Sequence, residues 1–110
     1  MSLAHERELP ILLTLEQSGL ILHALAELPF KTVFELIGQL NQQAHRLFAD
    51  GVDPQSTQSF VFAARDLSLA IKALGELPFN RVNALLSNLH QQIAQHAAST
   101  EKVETGHGGI

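Results

Sequence analysis

Apolar residues recur at three- and four-residue intervals over two long stretches of the chain. This spacing places them on one face of an α-helix and predicts amphipathic helices over about 31–48 and about 80–97. The predicted inward-facing residues are Val33, Leu36, Ile37, Leu40, Ala44, Leu47 and Phe48 in the first stretch, and Val82, Leu85, Leu86, Leu89 and Ile93 in the second.

The two stretches belong to an internal repeat with an offset of 49 residues. When residues 20–47 are aligned with residues 69–96, twelve of the 28 positions are identical. Six of these identities lie in one seven-residue segment, ALAELPF in the first copy and ALGELPF in the second, and both copies continue to a Gln-Gln pair at the same spacing. Convergent patterning would match apolar with apolar residues without repeating these particular ones, so the sequence indicates a duplication.

A proline in each copy predicts a tight corner between two helices. The residue before a proline is disfavoured in the α conformation, whereas proline is well tolerated at the first helical position. We therefore expect one helix to end and the next to begin at this point. The preceding glutamate sits at a helix C-terminus, where its charge is unfavourable, and we expect it to fix the corner rather than to act in catalysis. The corner residues are Glu27, Pro29 and Phe30 in the first copy and Glu76, Pro78 and Phe79 in the second.

Capping signals predict two further helices. Thr14 and Gln17 have the spacing of a capping box, which predicts a helix over about 15–27. Asp53 followed by Pro54 is typical of a helix start and predicts a helix over about 54–76. The predicted fold is therefore all-α: two helical hairpins related by a pseudo-twofold axis form an antiparallel four-helix bundle, which is complete in one chain or completed by dimerisation.

The sequence predicts a single helical domain with loose ends. The domain covers residues 14–98, with the first repeat over about 14–48 and the second over about 54–97. Residues 1–13 are predicted to be loose, although their Ile-Leu-Leu run is expected to pack against the domain. The glycine-rich residues 99–110 are predicted to be disordered.

Composition narrows the class of function. Apolar residues make up 45% of the 110 residues, but there is no Trp or Tyr and there are only six Phe, so leucine and alanine must fill the core, as is typical of helix packing. The formal charge of −4 argues against nucleic acid as a partner, because phosphate binding needs a basic surface. The chain has no Cys, which excludes disulfides, thiolate nucleophiles and cysteine-based zinc sites. No signal peptide and no membrane span is predicted, so we expect a cytoplasmic protein.

The sequence contains no motif for catalysis, for a cofactor or for a metal. No two of the six histidines stand at i, i+4 on one helix together with a carboxylate, as a helical zinc motif requires, and none is repeated between the two copies. There is no G-x-S-x-G, no P-loop and no dinucleotide fingerprint. We therefore predict a protein that is not an enzyme and has no catalytic, cofactor-binding or metal-ligating residues.

Two features of the second repeat are candidates for an interface. Phe62 and Leu69 lie on the side of the predicted third helix opposite to its main apolar stripe, so this helix is either buried on two sides within one chain or forms the seam of a homo-oligomer, with a dimer favoured. The last helix has an outer face rich in neutral amides, including Asn88, Gln91 and Gln95, which are less costly to desolvate than charges. This face is either covered by a partner or an ordinary surface.

The repeated Gln-Gln pair, Gln42–Gln43 and Gln91–Gln92, has two interpretations. Gln43 and Gln92 flank the inward-facing stripes by angle, so their side chains could bond across the hairpin or recognise a ligand. We favour the structural role.

The segment ALAELPFKTVFELI, with its copy ALGELPFNRVNALL, resembles small uncharacterised helical proteins encoded by phages and prophages. The resemblance covers about half of the chain and implies a phage accessory or host-interaction protein, but no activity and no functional residues. We expect a non-enzymatic protein that presents helix faces to a protein partner or to itself. The alternatives are a small regulator or chaperone-like protein that binds a partner helix in an apolar groove and, less favoured, a nucleic-acid-binding helix-turn-helix regulator.

Overall fold

The computed structural model describes the backbone of residues 8–108 and the side chains of residues 8–96. Six elements follow one another in the order strand, helix, helix, strand, helix, helix. They are β1 (Glu8–Leu13), α1 (Leu15–Leu25), α2 (Phe30–Leu47), β2 (Gln58–Ala63), α3 (Ala64–Leu74) and α4 (Phe79–Gly108).

The fold is α+β, and the prediction of an all-α four-helix bundle is wrong. Strands β1 and β2 pair antiparallel to form a two-stranded ribbon. β1 occupies part of the segment predicted to be loose, and β2 occupies the start of the helix predicted over 54–76. The physical reason is a period of two: Phe60 and Phe62 are both buried while Val61 between them is exposed, as in a strand with one face on a core. Phe62, which is predicted on a second apolar side of a long third helix, belongs instead to a strand that is joined directly to a shorter helix.

The duplication covers a complete β-α-α unit. Elements β1, α1 and α2 recur 49 residues later as β2, α3 and the first part of α4. Ile11 pairs with Phe60, which is its own counterpart in the repeat, and Leu13 pairs with Gln58. A pseudo-twofold axis therefore passes through the centre of the ribbon and relates the two repeats.

One core lies between the inner face of the ribbon and the helices. Helices α1 and α3 pack against each other beneath the strands. Each second helix packs against the first helix of its own repeat and against the strand of the other repeat, so that α2 contacts β2 and α4 contacts β1. Ile11, Leu13, Phe60 and Phe62 supply the ribbon's share of this core. Because the second helix of each repeat packs on the strand of the other repeat, the two repeats are interlocked.

The ends of the helices differ in part from those predicted. The capping box of Thr14 and Gln17 is confirmed, with Thr14 Oγ1 accepting from Gln17 N at 3.1 Å and Gln17 Oε1 accepting from Thr14 N at 2.9 Å. Asp53 does not begin a helix; its Oδ1 accepts from Gln55 N at 2.9 Å in a turn that follows Gly51, whose φ is +90°. α4 continues to Gly108, through most of the tail predicted to be disordered. The remaining residues of the two predicted loose ends, 1–7 and 109–110, lie outside the described residues.

Candidate protein-interaction surface

The repeated glutamines Gln43 and Gln92 close the two outer edges of the ribbon. Gln43 Nε2 donates to the carbonyl of Val61 at 3.0 Å, and its Oε1 accepts from Val61 N at 2.8 Å. Gln92 makes the same pair of bonds with Leu12, at 3.0 and 2.8 Å. Each primary amide thus stands in for a further strand at an edge that would otherwise be open. We call these contacts the glutamine clamps.

The clamps agree with the structural interpretation of the Gln-Gln pair. Both polar atoms of each clamp amide are bonded to a strand, and Gln92 Nε2 also donates to Asn88 Oδ1 at 3.0 Å. A ligand would have to displace these bonds. Their partners lie on the strand of the other repeat, whereas the sequence predicts bonds across one helical hairpin.

The helix–helix corners are closed by the backbone. Thr32 N donates to the carbonyl of Pro29 at 2.9 Å, and Arg81 N donates to that of Pro78 at the same distance. In each repeat the residue before the proline also donates to the last residue of the preceding helix, at 3.0 Å for Leu28 and 3.1 Å for Leu77. The predicted corner glutamates, Glu27 and Glu76, are exposed beside these turns.

The phenylalanine of each corner points away from the core. Phe30 and Phe79 are each 71% exposed, although most large apolar side chains of the described part are buried or partly buried. Phe34, one turn after Phe30, is 48% exposed, and the two rings lie 5.4 Å apart between centroids with an interplanar angle of 31°. We call Phe30 and Phe34 the aromatic pair. Repeat 2 has Asn83 in place of Phe34 and so has a single exposed ring.

A groove of about 630 Å³ lies between the N-terminal half of α1 and the C-terminal half of α2. We call it the repeat-1 groove. Its apolar lining residues are Leu15, Gly19, Leu22, Ala44, Phe48 and Ala49, and its polar ones are Ser18, Asn41, His45 and Asp50.

Repeat 2 lacks the small residues that open this groove. Ser18, which is buried, corresponds to Leu67, and Ala44 corresponds to Ile93. Two aliphatic side chains therefore stand in repeat 2 where repeat 1 has a hydroxymethyl and a methyl group. Ser18 meets its own hydrogen-bonding requirement locally, because its Oγ donates to the carbonyl of Leu15 at 2.8 Å. Repeat 1 thus has smaller side chains than repeat 2 at two positions that line the groove.

The residues predicted as an interface do not form one surface. Phe62 is 1% exposed and belongs to the core, in agreement with the predicted alternative of burial within one chain. Leu69 is half-buried and lines a shallow pocket against α2, whereas Gln95 lines another pocket beside β1. Asn88 is half-buried and bonded to the Gln92 clamp, and Gln91 is exposed. The aromatic pair and the repeat-1 groove were not singled out from the sequence.

Neither a metal-binding cluster nor a membrane-spanning helix is found among the described residues. Within residues 8–96 no three His, Asp or Glu side chains are placed to hold a metal ion. No helix of the described part is long and apolar enough to cross a membrane. The described surface is distinguished instead by its exposed aromatic residues and by the groove.

Comparison of the chain with protein-family models, with curated proteins and with solved structures gave no match. The resemblance of the Glu-Leu-Pro-Phe segments to phage and prophage proteins therefore stays a prediction. Function has to be inferred from the aromatic pair, the repeat-1 groove and the ribbon.

Proposed function

We propose that this protein is a non-enzymatic interaction protein that binds a protein partner through the side of repeat 1 carrying the aromatic pair and the groove. The observation that carries the proposal is the exposure of Phe30 and Phe34, two rings in mutual contact at the surface of a small domain. Aromatic side chains dominate the energetics of protein interfaces, and clustered exposed ones mark interaction sites.

The repeat-1 groove supports the same proposal. Six of its lining residues are apolar, and its polar members, such as Asn41 and His45, could orient a bound side chain. This combination of an apolar lining with a few polar groups is typical of binding sites. The groove and the aromatic pair share helix α2, so one partner could contact both.

Site-specific photo-crosslinking tests the proposal. A benzoylphenylalanine replaces Phe34 in the full chain, and the matched control places it at Asn83, the equivalent position of repeat 2. Both proteins are irradiated when purified and when returned to an extract of the source cells. A discrete protein adduct, with itself or with another protein, is expected from position 34 and not from position 83. Equal labelling at both positions, or none at either, would refute the proposal.

Nucleic-acid binding is a second candidate, and the shape of the ribbon favours it. The major groove of B-DNA admits a two-stranded antiparallel ribbon, and here the outer face of such a ribbon is uncovered. Its exposed residues include Pro10, Leu12, Ser59 and Val61. None of these four side chains is a cation, and the chain carries a formal charge of −4, so contacts to phosphate would have to come from elsewhere. A mobility shift with random-sequence duplex DNA at low salt, abolished by Leu12→Glu with Val61→Glu, would favour this candidate over the first.

A further inference from the structure

We infer that the occupant of the repeat-1 groove is a second copy of this chain, held by antiparallel packing of two α2 helices so that the aromatic pair of each copy enters the groove of the other. The inference rests on the proposed function and names its partner. It rests on the angular order of residues on α2, on the differences between the repeats and on the charges at the two ends of the helix.

The aromatic pair and the groove lie along one side of α2. At 100° per residue, Phe30, Phe34, Asn41 and His45 fall within a sector of about 60°. The aromatic pair occupies the N-terminal end of this stripe, and the groove residues occupy the C-terminal end. Two α2 helices that pack antiparallel about a twofold axis bring these ends together twice. Parallel packing would place ring on ring and groove on groove.

A glycine stands where the two helices would cross. Gly38 lies midway between the aromatic pair and Phe48, close to the same stripe, and it is exposed in the middle of an 18-residue helix. A Cβ at this position would meet nothing within 4 Å outside the adjoining backbone of its own helix, so packing within one copy does not require glycine there. Glycine in a helix interior is unfavourable compared with alanine. At a crossing point the missing side chain allows two helix backbones to approach closely.

The groove also contains a helical glycine with open space at the position of its absent Cβ. Gly19, in the middle of α1, also faces open space at the position of its absent Cβ, and it lines the groove. The counterparts of Gly19 and Gly38 in repeat 2 are Ser68 and Ser87. Repeat 1 alone combines an exposed aromatic pair with a hollowed receiving surface.

Repeat 2 indicates what the hollow can accept. Leu67 and Ile93 are the larger apolar residues that stand there at the positions of Ser18 and Ala44 in repeat 1. When two copies associate, the two rings of the aromatic pair would supply the apolar side chains that repeat 1 lacks at these positions. Repeat 1 therefore carries both halves of the contact, which is what a closed twofold dimer requires.

Charge favours the antiparallel order. Lys31 adjoins the aromatic pair at one end of α2, and Asp50 lies at the rim of the groove at the other end. Antiparallel packing places each Lys31 beside the partner copy's groove rim, where the opposite charge lies. The two helix macrodipoles also oppose each other in this arrangement.

Sedimentation velocity on the full chain over a range of concentrations tests the inference. The wild type is expected to dimerise. Phe34→Asn, which introduces the residue of repeat 2, is expected to raise the dimer dissociation constant at least ten-fold. Phe79→Ser removes an equally exposed ring from repeat 2 and is the matched control, with no expected change. A wild type that stays monomeric, or a dimer weakened as much by Phe79→Ser as by Phe34→Asn, overturns the inference.

Two further variants test the groove and the crossing point. Ser18→Leu fills the groove as Leu67 does in repeat 2, so it is expected to weaken the dimer at least ten-fold while the chain stays folded by circular dichroism. Because the chain has no cysteine, Gly38→Cys is expected to form a disulfide-linked dimer on mild oxidation, whereas Ser87→Cys is not. A dimer unaffected by Ser18→Leu, or equal linkage from the two cysteine variants, overturns the inference. In the photo-crosslinking experiment, an adduct with another protein alone would remove this inference and leave the proposed function standing.

Discussion

Removing one glutamine clamp provides a direct test of how the ribbon is stabilised. Gln43→Ala deletes two hydrogen bonds to Val61, of 2.8 and 3.0 Å. A typical hydrogen bond contributes about 0.5–1.5 kcal/mol net, so the pair should contribute about 1–3 kcal/mol. The edge is exposed, and water can reach the freed N–H and C=O groups, which favours the lower half of this range. We expect a loss of about 1–1.5 kcal/mol in the free energy of unfolding, or roughly 5 °C in the midpoint of thermal unfolding.

The neighbouring glutamine supplies the control. Gln42 has the same side chain in the same helix and is exposed, so Gln42→Ala shares any change in helix propensity and should stay within about 0.5 kcal/mol of the wild type. Both variants are compared by urea and thermal denaturation. Gln92→Ala is expected to cost somewhat more than Gln43→Ala, because Gln92 also donates to Asn88.

Amide hydrogen exchange gives a local measurement of the same effect. The Val61 N–H points away from β1 to the clamp, whereas its neighbour Phe60 pairs with Ile11 inside the ladder. In Gln43→Ala the Val61 amide should therefore exchange at least ten-fold faster than in the wild type, with a smaller change at Phe60. If Gln43→Ala is as stable as Gln42→Ala and Val61 keeps its protection, the clamps do not stabilise the ribbon.

Three other substitutions separate core, cap and backbone effects, each measured by denaturant unfolding. Phe60→Ala should lower the free energy of unfolding by about 3–5 kcal/mol, because the ring is fully buried at the centre of the ribbon. Phe79→Ala should lower it by less than about 0.5 kcal/mol, because its ring is exposed. Similar losses for the two variants would contradict the described core. Thr14→Ala should cost about 1 kcal/mol through loss of the capping box, and no loss would show that the cap is unimportant. Gly51→Ala should destabilise by about 1 kcal/mol because φ is +90°. Gly38→Ala, measured at a protein concentration at which the proposed dimer is dissociated, should stabilise the chain by about 1 kcal/mol, and the same sign for both variants would contradict the assigned conformations.

The helices could be predicted from the sequence because their signals are local. The stripe from Val33 to Leu47 has a helical period over four turns, and Pro29 fixes where it begins, so the prediction over 31–48 differs by one residue at each end from the helix found at Phe30–Leu47. The capping box likewise needs two residues three apart. Such features depend little on the rest of the chain.

The strands were missed because their apolar period is short and adjoins a helix. β2 runs into α3 without a glycine or proline between them, so its alternation could be read as the start of a longer helix. The repeat held a usable signal: the offset of 49 residues also aligns Ile11 with Phe60 and Leu13 with Phe62. Because Thr14 caps a helix in the first copy, the equivalent helix in the second copy should begin near residue 64, which leaves an extended segment before it.

The candidate surface could not be predicted because it depends on which side chains the tertiary structure leaves uncovered. The repetition of Phe30 and Phe79 identified a corner, but a ring at that position can turn inward or outward, and the sequence does not decide between the two. The hollow at Ser18 becomes visible only when the buried positions of the two repeats are known, since Leu67 then shows the size of side chain that the site can hold.

Fusion of two β-α-α units in one chain explains why the two halves can differ. Each strand needs the other strand as its partner, and each clamp glutamine reaches the strand of the other repeat, so a single unit would have an incomplete core and an open edge. Two identical separate units would have to present the same surface twice, and a body with two aromatic pairs and two grooves could link into open chains. In the fused chain, Leu67, Ile93 and Asn83 remove both features from repeat 2 while preserving its fold. One aromatic pair and one groove per chain are what limit the proposed association to a closed pair.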